Sequence, residues 1–128
     1  MYEIVVESEF SAAHALVIGG VRESLHGHNW HTEAVVSGET LDGDGLLCDF
    51  HTVEAELSAI TGRFHNRNLN EVEPFTTVNP SAEQVARVIA EELSSRLDGS
   101  LSPHAWVSRV TVTEAARCRA TYRRAGRA

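Results

Sequence analysis

The sequence lacks the features that direct a chain to a membrane, an oxidising compartment or a nucleic acid. No apolar run approaches the roughly eighteen residues that a bilayer span requires, so no membrane association is expected. The first residues, Tyr2-Glu3-Ile4-Val5-Val6, alternate and are acidic, without the basic end and apolar block of a signal peptide. A cytoplasmic location is the expectation. Cysteine is scarce: Cys48 and Cys118 lie far apart and match no zinc or redox spacing, so both are expected to be reduced, buried thiols. Positive charge is in the minority, with 11 Lys and Arg against 18 Asp and Glu, and a formal net charge of −7 repels phosphate backbones. No nucleic-acid partner is expected. The exception is the C-terminal segment, where Arg117, Arg119, Arg123, Arg124 and Arg127 crowd together. Three roles stay open for it: a phosphate contact, a solvated strand end or a subunit contact.

The 128 residues, 42% hydrophobic and 23% charged, have the size and composition of one globular domain spanning 1–128. Residues 2 to 13 alternate apolar and polar side chains and predict a half-buried strand. After Gly19-Gly20, residues Asn29 to Glu39 return to β-like composition and predict a second strand, ended by Asp42-Gly43-Asp44-Gly45. Phe50, Val53, Leu57 and Ile60 then recur at helical spacing behind a capping Asp49. Arg63 to Glu73 is polar and predicts a long functional loop. Ser81-Ala82-Glu83-Gln84 is a capping-box sequence, Ser81 bonding forward and Gln84 back, for a helix ending near Asp98-Gly99. Trp106 to Val112 and Arg119 to Tyr122 predict the last two strands, with a turn near Ala115-Ala116. The order ββααββ predicts an α+β fold: a four-stranded antiparallel sheet with two helices on one face. Its open edges favour closure by self-association.

Chemistry concentrates in the histidines. His26 and His28 are two residues apart on a strand and so point to one face. His14 ends the preceding strand, and an antiparallel pairing brings it beside them. Three imidazole nitrogens with a fourth position free suit catalytic zinc better than structural zinc, which fills all four positions. His31, at the opposite parity, and His51 and His104 are read as ordinary hydrogen-bonded rings.

Several segments, taken together, resemble the 6-pyruvoyl-tetrahydropterin synthase and 6-carboxy-tetrahydropterin synthase family. They are Phe10-Ser11-Ala12-Ala13-His14, Leu25-His26-Gly27-His28-Asn29-Trp30, Cys48-Asp49-Phe50, Leu69-Asn70, Asn79-Pro80-Ser81-Ala82-Glu83 and Thr113-Glu114. The resemblance implies the T-fold, in which trimers close a barrel and two barrels stack into a homohexamer with active sites between subunits. It implies zinc on His14, His26 and His28, polarising the hydroxyls of a substrate side chain. It implies a small-molecule pterin ligand, whose ring amide and amine are anchored by Glu114.

The proton-transfer groups depart from the family pattern. Gly20-Val21-Arg22-Glu23-Ser24-Leu25 holds no cysteine ahead of the histidines. The family's Leu-Asp-His-x-x-Leu-Asn loop reads Phe64-His65-Asn66-Arg67-Asn68-Leu69-Asn70, with His65 at the aspartate position and Asn66, which cannot exchange protons, at the histidine position. One branch of the family replaces the cysteine with a glutamate three residues before the His-Gly-His, where Glu23 stands. The candidate catalytic residues are therefore Glu23 and His65. Three functions compete: a pterin-binding homologue that has lost the standard synthase reaction; a zinc-dependent lyase that cleaves the side chain of 7,8-dihydroneopterin triphosphate with Glu23; and a structural or regulatory hexamer without catalysis.

Overall fold

The computed structural model describes residues 1–125. The chain opens with β1 (Tyr2–His14), whose alternation turns Val6, Phe10, Ala12 and His14 inward and leaves Glu3, Glu7 and Glu9 on the other face. A small hairpin follows, β2 (Val17–Ile18) and β3 (Val21–Arg22). Its turn residues, Gly19 and Gly20, have φ of 60° and 81°. Two consecutive positive φ angles are the geometry that tight hairpins demand and glycine supplies. β4 (His26–Gly38) then runs back along β1 for its full length, from His26 opposite His14 to Gly38 opposite Tyr2.

Helix α1 (Phe50–Gly62) starts at Asp49, whose carboxylate accepts the amide of His51 at 2.8 Å. The polar stretch after it carries β5 (Arg67–Asn68) and one 3-10 turn (Leu69–Glu71) before α2 (Ala82–Leu101), β6 (Ala105–Ala115) and β7 (Cys118–Arg123). The main sheet has the order β5-β1-β4-β6-β7, antiparallel except where β5 meets β1. Phe10, Trp30, Val110 and Val112 on one sheet face join Leu57, Ile60, Val85, Ile89 and Leu93 of the helices in one core. Each such side chain contributes about 1.5–3 kcal/mol on burial. Among the described residues no helix is long and apolar enough to cross a membrane.

The α+β architecture and the four long antiparallel strands agree with the sequence, while several details do not. The fifth strand and the small hairpin were not expected. The stretch from Arg63 to Glu73 is not a free loop: Phe64 and Leu69 are fully buried, and isolated apolar residues of this kind leave no periodicity to detect. Only half of the capping box forms. Ser81 Oγ accepts the Gln84 amide at 3.2 Å, but the Gln84 side chain turns to Arg87 and the Ser81 amide donates to the Asn79 carbonyl instead. Both thiols are free, but Cys118 is exposed, because β7 is an edge strand and position 118 begins it. Among the arginines near the C-terminus, Arg124 clamps Asp98 at 2.6 Å and the Val107 carbonyl at 2.7 Å. Arg127 lies outside the described residues.

Candidate metal centre

The antiparallel register builds the site. His14 pairs with His26 and Ala12 with His28, so three imidazoles gather at one end of the β1–β4 ladder. Their rings meet edge to face, with centroids 4.7 Å apart for His14 and His26, 5.2 Å for His14 and His28, and 4.8 Å for His26 and His28. Trp30 backs the cluster, edge-on to His14 at 4.9 Å. Trp30 is itself pinned by its indole N–H to the Ala12 carbonyl at 3.2 Å and by stacking on Phe10. Such packing fixes ring orientation before any ligand arrives.

Two tautomers can be assigned from partners that only accept. His14 Nδ1 lies 2.7 Å from the Pro80 carbonyl, and His26 Nδ1 lies 2.8 Å from the Ser24 carbonyl. Each Nδ1 must therefore carry the proton, which leaves the Nε2 lone pair aimed into the cluster. The Nε2 atoms of His14 and His28 are buried without a hydrogen bond among the described residues. Burial pushes the His28 pKa down, the neighbouring rings push the same way, and Glu114 opposes them only in part. Neutral imidazole is the form that binds metal.

Glu114, on β6, completes the group. Its Oε1 is 2.8 Å from His14 Nε2 and 3.5 Å from His28 Nε2. The four side chains can place their donor atoms within 4.8 Å of one another. The His14 contact is short yet lacks hydrogen-bond geometry, as expected for groups sharing a space rather than a proton. Orphaned ring nitrogens and an N3O donor set fit zinc. Sequence alone put Glu114 on the ligand and gave no sign that it reaches the histidines.

Glu23 sits just after the small hairpin. Its amide donates to the Leu16 carbonyl at 2.9 Å, and its Oε1 accepts the Leu16 amide at 3.0 Å, 3.8 Å from His26 Nε2. Two amide side chains fix the segment that Glu23 grips. Asn70 makes a two-way pair with the backbone of Ala15, both bonds 2.8 Å, and Asn79 does the same with Val17 at 2.9 Å. An amide side chain offers one donor and one acceptor, as a strand neighbour does. In the sequence these asparagines stood out only as parts of shared motifs. His65 is placed elsewhere: it is exposed, its Nδ1 accepts the Ser11 amide at 3.1 Å, and it does not belong to the metal-binding group. His51 is exposed, and His104 bonds the Leu47 carbonyl at 2.8 Å.

The family model described as 6-pyruvoyl tetrahydropterin synthase covers residues 3–125, and the chain belongs to that family. It is similar to the dihydroneopterin monophosphate aldolase of Pyrococcus furiosus, 33% identical over 98 residues, which make up 77% of this chain and 80% of that protein. It is also similar to a putative 6-carboxy-5,6,7,8-tetrahydropterin synthase of Archaeoglobus fulgidus, 27% identical over 93 residues, or 73% and 76% of the two chains. The solved 6-pyruvoyl tetrahydropterin synthase of Caenorhabditis elegans superposes with a TM-score of 0.80 at 26% identity, covering 98% of each chain. The fold is the T-fold.

Proposed function

We propose that the chain is a zinc-dependent lyase that cleaves the side chain of a 7,8-dihydroneopterin substrate, with Glu23 as its proton-transfer group, and that it has lost the standard synthase reaction. The observation that carries this is the placement of Glu23 at the rim of the histidine cluster, where its main-chain amide donates to the Leu16 carbonyl and its carboxylate accepts the Leu16 amide. Similarity to the Pyrococcus furiosus aldolase favours the same chemistry. The absence of a titratable group at Asn66, without which the family's relay cannot be rebuilt, supports loss of the standard synthase reaction.

In this mechanism His14, His26 and His28 hold the metal. Bound there, zinc supplies Lewis acidity that makes the protons of side-chain hydroxyls easier to remove. Glu114 accepts the ring amide and exocyclic amine of the pterin in two parallel charge-assisted bonds. Glu23 takes the proton from the hydroxyl on the second side-chain carbon. A carbonyl forms there as the bond to the first side-chain carbon breaks, and its electron pair passes into the ring imine. Glu23 then returns the proton to the first carbon. The products are a hydroxymethyl-dihydropterin and a two-carbon aldehyde that keeps any ester group, with no net change in protons or electrons. His65 has no part in this sequence.

The working form is proposed to be a homohexamer with sites between subunits. The two outer long strands support it: β1 carries Glu3, Glu7 and Glu9 on the sheet face away from the helices, and β7 carries Arg119 and Arg123. Open strand edges suit head-to-tail closure by copies of the same chain.

Incubation of purified protein with 7,8-dihydroneopterin triphosphate, followed by chromatography, tests the reading. Hydroxymethyl-dihydropterin is the expected product. Glu23→Gln keeps a carbonyl for the Leu16 amide and should keep the zinc while lowering kcat by about 10²–10⁴-fold. Pterin bound without turnover would establish the binding-only alternative, which the amide at Asn66 favours. A pyruvoyl product would overturn loss of the synthase reaction. Absence of pterin binding, with Glu114→Ala changing nothing, would leave only a structural hexamer.

A further inference from the structure

We propose that Asn70 and Asn79 are positioning residues for Glu23, on which they act through the main chain of residues 15–17. The inference rests on Glu23 being the proton-transfer group and adds what keeps its carboxylate at the rim of the histidine cluster.

Residues 15–17 lead from His14, the last residue of β1, into the small hairpin, and Ala15 and Leu16 belong to no strand. Main-chain amides and carbonyls outside a sheet need other partners. Three side chains supply them, one for each residue. Asn70 meets both groups of Ala15 at 2.8 Å, and Asn79 meets both groups of Val17 at 2.9 Å. Between them Leu16 donates its amide to Glu23 Oε1 at 3.0 Å and accepts the Glu23 amide at 2.9 Å. This is the alternation of extended chain, in which successive residues turn their polar groups to opposite edges. The asparagines therefore grip one edge of the segment and Glu23 the other. One bond departs from ordinary pairing. Past the Val17 and Arg22 pair, a hairpin continued by one step would have the Leu16 amide donate to the Glu23 carbonyl, but the Glu23 carboxylate accepts it instead. The direction of the Leu16 N–H thus sets the orientation of the Glu23 side chain.

Apolar packing within the protomer does not hold the hairpin in place. Val17, Ile18, Val21 and Leu25 are each at least 42% exposed, so the segment has no buried face to anchor it. Polar contacts from elsewhere in the chain do so instead. Asn70 lies in the 3-10 turn next to the fully buried Leu69. Asn79 precedes the buried Pro80, whose carbonyl takes the Nδ1 proton of His14. One corner of the chain thus sets both a metal ligand and the segment that carries the Glu23 contact. An amide donated to a carboxylate is a charge-assisted bond, and it occupies Oε1, so Oε2 is left to take the substrate proton. Proton transfer is sensitive to such placement, since a shift of about 1 Å can cost about 10²-fold in rate.

The test compares zinc-loaded wild type, Asn79→Ala and Asn70→Ala, each alone and combined with Glu23→Gln, on 7,8-dihydroneopterin triphosphate. Hydrogen exchange of the Leu16 amide, read by NMR, accompanies the kinetics. Asn79 is exposed, so the Val17 groups freed by its loss can meet water. Asn79→Ala therefore decides the matter even if Asn70→Ala, which strands the buried main chain of Ala15, does not fold. Asn79→Ala should lower kcat about tenfold or more, leave KM within about twofold and keep about one zinc per chain. In the Glu23→Gln background it should change the residual kcat by less than about twofold, because a residue that acts through Glu23 has no proton-transfer group left to position. Exchange at Leu16 should quicken about tenfold or more in Asn79→Ala, as in Glu23→Ala, with exchange at Trp30 unchanged. An equal loss of kcat in both backgrounds, a change confined to KM, or zinc lost together with kcat would overturn the inference. Unchanged exchange at Leu16 would overturn it as well. Should wild type turn over no pterin, the reading of Glu23 as the proton-transfer group fails, while exchange at Leu16 still decides whether the asparagines hold its carboxylate.

Discussion

His28 and His31 lie three residues apart on β4 and face opposite sides of the sheet, and their surroundings make them opposite kinds of histidine. His28, with His14 and His26, points a bare Nε2 into a cluster where burial pushes its pKa down. His31 has both nitrogens engaged, Nε2 with Glu7 at 2.8 Å and Nδ1 with Glu9 at 3.3 Å, and Glu33 stands 3.9 Å away. Burial alone would lower the His31 pKa too, but the hydrogen bonds that its ring donates to Glu7 and Glu9 outweigh it and raise the value. Glu7, His31 and Glu33 also lie close enough to surround a cation. The difference between the sites is what meets the second ring nitrogen. At His14 and His26 a backbone carbonyl on Nδ1 leaves the Nε2 lone pair for a metal, whereas at His31 two carboxylates favour the protonated ring.

The strongest way to break that comparison is to truncate one histidine of each kind. His14→Ala should take zinc from about one per chain to near zero by elemental analysis. It should also cost about 2–4 kcal/mol in denaturant unfolding, because a fully buried ring and its bond to Pro80 are both lost. His31→Ala should keep the zinc and cost under about 1 kcal/mol, as partly exposed ion pairs do. Equal zinc loss in both variants would erase the distinction. Glu114→Gln sharpens it further by asking whether the carboxylate serves the metal or the pterin. As an anchor, its neutralisation should weaken pterin binding about 10–100-fold by fluorescence titration and leave zinc in place. Zinc lost with pterin affinity unchanged would make Glu114 the fourth ligand instead.

The histidine centre was legible because its signal is short-ranged. Two ligands at i and i+2 share a face by strand geometry, and the third needs only the hairpin register that alternation in β1 and β4 enforces. Glu114 was recognisable as a residue, but its place beside His14 depends on β6 lying against β4 after two intervening helices. No local pattern encodes that distance. The same holds for Asn70 and Asn79, whose amides act as strand neighbours to Ala15 and Val17 from more than fifty residues away. The fold was readable where periodicity was sustained, as in β1, β4 and α2. The sequence held no sign of the anchoring in the stretch from Arg63 to Glu73, where single buried residues such as Phe64 and Leu69 tie the loop to the core.

The smallest expected effect is a matter of sign. His31 has a folded-state pKa raised above the ordinary value of about 6.5. Its ion pairs therefore contribute stability that is fully present below about pH 6.5 and is lost as pH rises through the raised value. The measurement is the unfolding midpoint of wild type minus that of His31→Gln, at matched zinc and protomer concentration, followed from pH 5.5 to 9. Taking the difference removes the pH dependence that the two proteins share. Wild type should lead at the acidic end by about 0.2–1 kcal/mol, a modest figure because the His31 side chain is 32% exposed, and the lead should vanish at the alkaline end. A lead that grew with pH would mean that His31 is held neutral like His28, and the contrast between the two faces of β4 would collapse.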